Sequence, residues 1–449
     1  MRAAGAGRVG GTEMVSVRRL IIGGSALVLG LLGAPGLTGS ALARTGCGAV
    51  LRTSTRLTAD VGPCPGLGLV VRANNITVDL AGHRVFGTAH EGSSPGILLD
   101  RVTGVTVKGG SVDNFDGGVV VYRGRSNTLT RLDVHHNDSA QFVADHPDEA
   151  QLGDGIVLLG SSANKITASQ VHDNGPFSGI AVLTEIGPQG VAGPLPTDNS
   201  ITGNIVRHND VDDACTSAGD FFGGPCQPGE GVFSEDIGMR IEGPGANRTT
   251  ISGNLIAENG REGVSVLNTR NASTPPEINS PQNTDTLISG NDINHNGVAR
   301  VLTDPEVGQL GGDGIFNRCF NGSFVPGCPT RTTIVGNRVN DNQNHGIAIG
   351  KSQGNTIIAN TALGNGGGTT TDYASDPPYT DGFDENVNPP CDANVWLDNV
   401  FGTVNQPCVR HHPGPAAGAP SPLAAVASPI AEADHHSPQP PRPGGRAPI

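Results

Sequence analysis

Glu262, Asp313 and His345 each stand directly before a glycine and an apolar residue, in Glu262-Gly263-Val264, Asp313-Gly314-Ile315 and His345-Gly346-Ile347. If these phrases lie on stacked strands, equivalent residues come within about 4.8 Å of one another at each step. Two carboxylates at that spacing can split their pKa values and work as acid and base, and an imidazole beside them can relay the proton. Arg240, after Gly238-Met239, would hold an anionic substrate, and Asp154, before Gly155-Ile156, is a second binding candidate. The competing reading is structural, with Asp and His before Gly capping a turn.

Two further clusters have ligand chemistry. His135-His136 with Asp145, His146, Asp148, Glu149 and Asp154 would suit a metal or a uronate. Asp210, Asp212, Asp213, Asp220, Glu235 and Asp236 are oxygen donors of the kind calcium takes. Neither a calcium nonapeptide nor an EF-hand spacing is present, so solvated acidic loops are the simpler reading. The expectation is no metal site and no cofactor, with calcium the one to test.

The elements that must position these residues are written in a repeat. Eight times an apolar residue, two spacers, Asn (Leu132 and Ser169 in two looser copies), one spacer and another apolar residue recur, usually with a second Asn three positions on. Ile201-x-x-Asn204-x-Val206-x-x-Asn209 is repeated from Ile251, Ile288, Ile334 and Ile357, with looser copies from Leu129, Ile166 and Trp396. The tightest copies start 23 residues apart and the others 35 to 50 apart, one coil plus insertions. Apolar residues at period two mark strands, and repeats this short must stack to bury a core. The fold class is therefore all-β, a single-stranded right-handed parallel β-helix with long loops flanking one strand column. Asn at the corners would form amide ladders, a structural role that serves every coil alike.

The Gly-Ile phrase marks the flanked column. Long insertions at 138–153, 210–237 and 297–312 precede it, and others at 184–198, 268–282 and 318–330 follow it. Loops of that length usually carry function, and together they would wall a groove. If Ile156 and Leu158 point inward, the floor is Leu98, Val120, Val157, Ala181, Arg240, Ser265, Phe316 and Ala348, mostly apolar or small.

Composition bounds the partners. The basic patch ending Arg18-Arg19, the Gly-broken apolar run Leu20 to Leu32 and Ala41-Leu42-Ala43 read as a signal peptide over 1–43, too short for a membrane span. Its removal moves the net charge from −14 to −17, which opposes nucleic-acid binding. The β-helix domain is set at 44–408 and a disordered Pro/Ala-rich tail at 409–449. In a secreted chain the eight cysteines imply disulfides, expected between neighbours: Cys47 with Cys64, Cys215 with Cys226, Cys319 with Cys328, Cys391 with Cys408. Aromatic content of 4% leaves few stacking platforms, since Trp396 sits at a core position of the repeat, so an anionic or highly hydroxylated polymer is the better ligand.

Leu57-Thr58-Ala59-Asp60, Cys64-Pro65-Gly66-Leu67 and Asn75-Ile76-Thr77-Val78-Asp79-Leu80-Ala81-Gly82-His83, with the Asn phrases, resemble the secreted right-handed parallel β-helix proteins of the pectin-lyase-like superfamily. More narrowly, they resemble the repeat of carbohydrate-binding proteins, sugar hydrolases and the copper-accessory protein of nitrous-oxide reductase. Gly312-Asp313-Gly314-Ile315 and His345-Gly346-Ile347 resemble two polygalacturonase motifs, without the Asp-Asp pair between them, with Asn344 for a Gly, and with no Arg-Ile-Lys following. The resemblance implies a secreted monomer that binds an extracellular polysaccharide or cell-wall glycan and processes it by lyase, hydrolase or epimerase chemistry. The alternatives are a non-catalytic surface or structural protein and a metal-handling accessory protein.

Overall fold

The computed structural model describes residues 45–88, 94–139, 153–185, 193–209, 237–243, 245–267, 283–297, 312–318, 328–367, 379–386, 390–391 and 393–413. These lie in the unit Met1–Gly414; the unit Pro415–Ile449, and with it most of the expected tail, is outside the described residues, as is the whole expected signal, 1–43.

The described residues hold strands and one 3-10 turn, Pro407–Val409. Eleven strands from Ala49–Leu51 to Gly382–Asp384 form one parallel sheet, each pairing with the strand of the next coil. The remaining strands make two further parallel columns. These are joined only because Thr106–Asp113 and Thr128–His135 each run through both, pairing with one column by their first half and the other by their second. The architecture is the expected parallel β-helix.

Register explains the repeat. Leu129, Ile166, Ile201, Ile251, Ile288, Ile334, Ile357 and Trp396 are consecutive partners on eight coils, all fully buried. Burying each such side chain contributes about 1.5–3 kcal/mol. The turn after each strand is made by one residue in the left-handed region, and the next residue is the ladder residue. Asn204, Asn254, Asn291, Asn337 and Asn360 form one amide ladder, each Oδ1 after that of Asn204 accepting from the backbone N–H and the Nδ2 of the Asn on the coil before. Asn137, Asn174, Asn209, Asn259, Asn296, Asn342 and Asn365 form a second in the same way. The glycine of the Gly-Ile phrase follows from that ladder. A Cβ on Gly263 would stand 2.8 Å from Asn296 Nδ2 and 2.7 Å from the Gly314 carbonyl oxygen.

Disulfides Cys47–Cys64 and Cys391–Cys408 close the first and last coils. Cys328 is disulfide-bonded, while Cys215, Cys226 and Cys319 lie outside the described residues. Packing continues past residue 408: His412 exchanges both backbone hydrogen bonds with Trp396, at 2.7 and 2.8 Å.

Candidate functional site

Alternation along the sheet strands places one row of side chains outward on every coil. Val70, Leu98, Val120, Val157, Ala181, Arg240, Ser265, Phe316, Ala348 and Phe383 are consecutive partners, so the floor expected from parity is in register throughout. An open groove would leave that row exposed, yet beyond Val50 on the first coil only Phe316 is partly so. Val70, Leu98, Val120 and Val157 form an apolar cluster of their own with Leu67, Tyr122, Leu159 and Leu183. The insertions expected to wall the groove, with Asp145, His146, Asp148, Glu149, the Asp210 to Asp236 cluster and Phe221, Phe222 and Phe233, lie largely outside the described residues.

The residues before each glycine form the next row. Gly238 N–H donates to the Glu262 carbonyl, Gly263 to Asp313, Gly314 to His345 and Gly346 to Thr380, which puts Glu262, Asp313, His345 and Thr380 on four successive coils. Asp313 Oδ1 accepts the His345 backbone N–H at 2.7 Å. His345 Nδ1 accepts the Thr380 backbone N–H at 3.0 Å, so the hydrogen of the neutral ring belongs on Nε2 by inference from this network. Phe383 stacks on the imidazole with centroids 4.2 Å apart, and Tyr379 meets its edge at 5.2 Å. Glu262 Oε1 is 3.5 Å from Arg261, and its buried Oε2 has no hydrogen-bond partner among the described residues.

Arg240 rises from the centre of this face and is 3% exposed. Its Nη1 lies 3.3 Å from Glu242 and its Nη2 3.8 Å from Asp154, with the Phe177 ring 5.8 Å from the guanidinium carbon. Burial pushes Asp154 up to about 6 against the opposing pull of Arg240 and Ser178, because the charged form loses its hydration. The two expected binding residues therefore face each other inside the protein.

The model of the right-handed β-helix region matches residues 67–274. This chain is a right-handed parallel β-helix. The β-helix is similar to an alginate lyase from Paenibacillus sp. (14% identity, TM-score 0.40, covering 71% of this chain and 86% of that one). It is similar to a mannuronan C-5 epimerase A-module from Azotobacter vinelandii (14%, 0.42, 80% and 82%) and to a surface adhesin of Streptococcus pneumoniae (11%, 0.38, 71% and 69%). Identities this low speak of fold alone. No curated protein matches the sequence.

Sequence reasoning missed two parts of the β-helix. Thr380 went unnoticed because Asp381 occupies the glycine position of the phrase on that coil, Ile347 pairing with Gly382. The other is a corner stripe. The left-handed residues just before the second Asn ladder are His136, Asp173, His208, Glu258, His295 and Asp341, alternating imidazole and carboxylate on six coils. Reading the residue before each second Asn would have found it.

Proposed function

We propose that this β-helix is exported and binds an extracellular polysaccharide or cell-wall glycan along the outward face of the eleven-stranded sheet, where Glu262, Asp313 and His345 process it. The supporting observation is an asymmetry of that face. Its first coils are closed by Val70, Leu98 and Val120; Asp154 enters the coil of Val157, and Arg240, Glu262, Asp313 and His345 occupy the coils after it, each of these five ionisable residues at most 4% exposed. Burying ionisable groups costs more than packing apolar ones, and such groups concentrate where chemistry needs them. Glu262 and Asp313 serve as acid and base, and His345 relays a proton through Nε2. Arg240 holds a substrate carboxylate once Asp154, with its raised pKa, takes a proton and lets go.

The test is a screen of the purified chain against polyuronates and bacterial cell-wall glycans, read as unsaturated-product absorbance and as reducing ends. Asp313→Asn and His345→Asn keep an acceptor for the capped N–H groups, so both should fold and both should lose turnover by about a hundredfold or more. Full activity in both removes these residues from the chemistry.

A second reading has its own observation: Asp313 and His345 each use a side-chain atom to cap the backbone of the next coil. A scaffold or surface protein needs no more than that. Glycan binding with no product in either assay would favour it.

A further inference from the structure

We infer that His135 and His136 form a chelate for one late first-row divalent transition ion at the corner of the fourth coil. Their Nδ1 atoms are 2.8 Å apart, with ring centroids 5.0 Å apart and planes at 85°. Without metal this is one N–H donating to the other ring's lone pair. Such a bond holds two imidazole nitrogens at a chelating separation, and a tilt of the rings turns both lone pairs to one side of the line between them, where a chelated ion sits. With metal–nitrogen bonds of about 2.0–2.1 Å, donors 2.8 Å apart subtend about 86° at the ion. That is close to the right angle of tetragonal or octahedral coordination and well short of the tetrahedral angle. The pair therefore suits Ni²⁺ or Cu²⁺ better than Zn²⁺.

The surroundings are built to hold the rings in place. His172, the strand partner of His135 on the next coil, stacks on it at 5.1 Å and 11°. Both nitrogens of His172 are engaged, Nε2 with Asp133 Oδ1 at 3.0 Å and Nδ1 with Asp173 Oδ2 at 2.6 Å, so it is a positioning residue and no ligand. The other Asp133 oxygen, Oδ2, lies 4.0 Å from His135 Nε2. If His135 is the donor in the metal-free pair, metal binding moves its hydrogen from Nδ1 to Nε2, and a closure of the 4.0 Å gap lets Asp133 accept it. No net proton is released when the ring starts neutral. A carboxylate behind a ligating imidazole is the usual means of fixing its tautomer and raising its basicity. His136 is exposed and gives the ion an approach from solvent. Among the described residues no group of three or more His, Cys, Asp or Glu is placed to hold a metal ion, so the site rests on the two imidazoles alone.

The experiment is calorimetric titration of the full chain with Ni²⁺ at constant pH, repeated with His136→Asn, His135→Gln and Asp133→Asn. Asn tolerates the left-handed backbone of position 136 (φ 52), so that variant keeps the corner. Other histidines, including His411 and His412, contribute equally to all four titrations and cancel in the comparison. Each histidine variant should bind one equivalent fewer than the parent, while Asp133→Asn should keep the equivalent at about tenfold weaker affinity. X-ray absorption of the parent should show two imidazoles on the ion missing from His136→Asn. Unchanged stoichiometry and affinity in a folded His136→Asn would overturn the chelate. Unchanged affinity in Asp133→Asn would overturn the role of the carboxylate.

Discussion

Two corners of the coil share one backbone and differ in chemistry. At the corner after the eleven-stranded sheet, Asp198, Arg248, Asp285 and Arg331 take the left-handed position on four successive coils, and at the corner before it the same position is held by His136, Asp173, His208, Glu258, His295 and Asp341. The first carries permanent charge in bidentate pairs, Arg248 on Asp198 at 2.6 and 2.9 Å and Arg331 on Asp285 at 2.8 and 2.9 Å. The second carries titratable groups, His208 against Glu258 at 2.5 Å and Asp173 against His172 at 2.6 Å, whose pairing depends on the charge of an imidazole. What lies behind them also differs. Behind the His/carboxylate corner the Asn ladder is unbroken, whereas behind the Arg/Asp corner Asn164 and Asn199 give way to Thr249, Thr286 and Thr332 before Asn355 resumes. The buried hydroxyls of Thr249 and Thr286 make no hydrogen bond among the described residues. The permanent pairs thus sit where the internal amides fail. The corner whose ladder is intact is free to carry groups chosen for something other than stability.

If that division is right, the ladder behind the histidines must carry the larger share of stability. Asn259 links Asn209 to Asn296 and also donates to the Val206 carbonyl, all in a buried setting. Asn259→Ala leaves several of those groups unsatisfied and should cost about 3–5 kcal/mol, read from chemical denaturation. A cost below about 1 kcal/mol would break the comparison at its base.

Burial sharpens the contrast between charge that is cheap and charge that is not. Asp154 and Arg240 form a pair like those at the Arg/Asp corner, but inside the protein, and Asp154 is raised from 3.8 to about 6. The folded state then holds the proton more tightly than the unfolded one. Stability from this group is present below about pH 4 and is lost as pH rises toward 6, after which the curve is flat. Asp154→Asn should remove that slope and stabilise the chain near pH 7 by about 2–3 kcal/mol. The corner shows the opposite sign. Hydrogen bonds from Arg248 and Arg331 hold Asp198 and Asp285 below their ordinary value of 3.8, so their contribution is full above pH 4 and is lost as pH falls through the lowered values.

The fold was legible because its signals are periodic. Asn at fixed offsets, apolar residues two apart and a glycine before each sheet strand repeat on coil after coil, and each has one physical cause. The candidate site was only partly legible. Parity gave the floor and the phrase gave Glu262, Asp313 and His345 on adjacent coils, but nothing in spacing says that Asp154 and Arg240 would neutralise each other. Nor does it say that Asp313 and His345 would be held by the next coil's backbone. Those facts depend on the reach of side chains across coils separated by up to 50 residues in sequence. The histidine corner was written in the same repeat, in a position that looks like a spacer.

The exposed Arg/Asp pairs come next in size. Arg248→Ala should cost about 0.5–1 kcal/mol at low ionic strength and less in molar salt, with an Asp198/Arg248 double-mutant cycle returning most of that as coupling.

The smallest effect tests the division most directly. His208 and Glu258 are neighbours on the His/carboxylate corner, both about half exposed, and behind them Asn209 and Asn259 are fully bonded. Glu258→Gln keeps the side-chain length and the left-handed backbone while removing one charge. With the ladder intact, the change should stay within about 0.5 kcal/mol, below the cost of Arg248→Ala measured under the same conditions. An equal or larger loss would mean that the titratable stripe holds the coil together as the Arg/Asp pairs do. Its histidines would then owe their positions to stability, leaving the metal chelate without the freedom from structural duty that the intact ladder gives it.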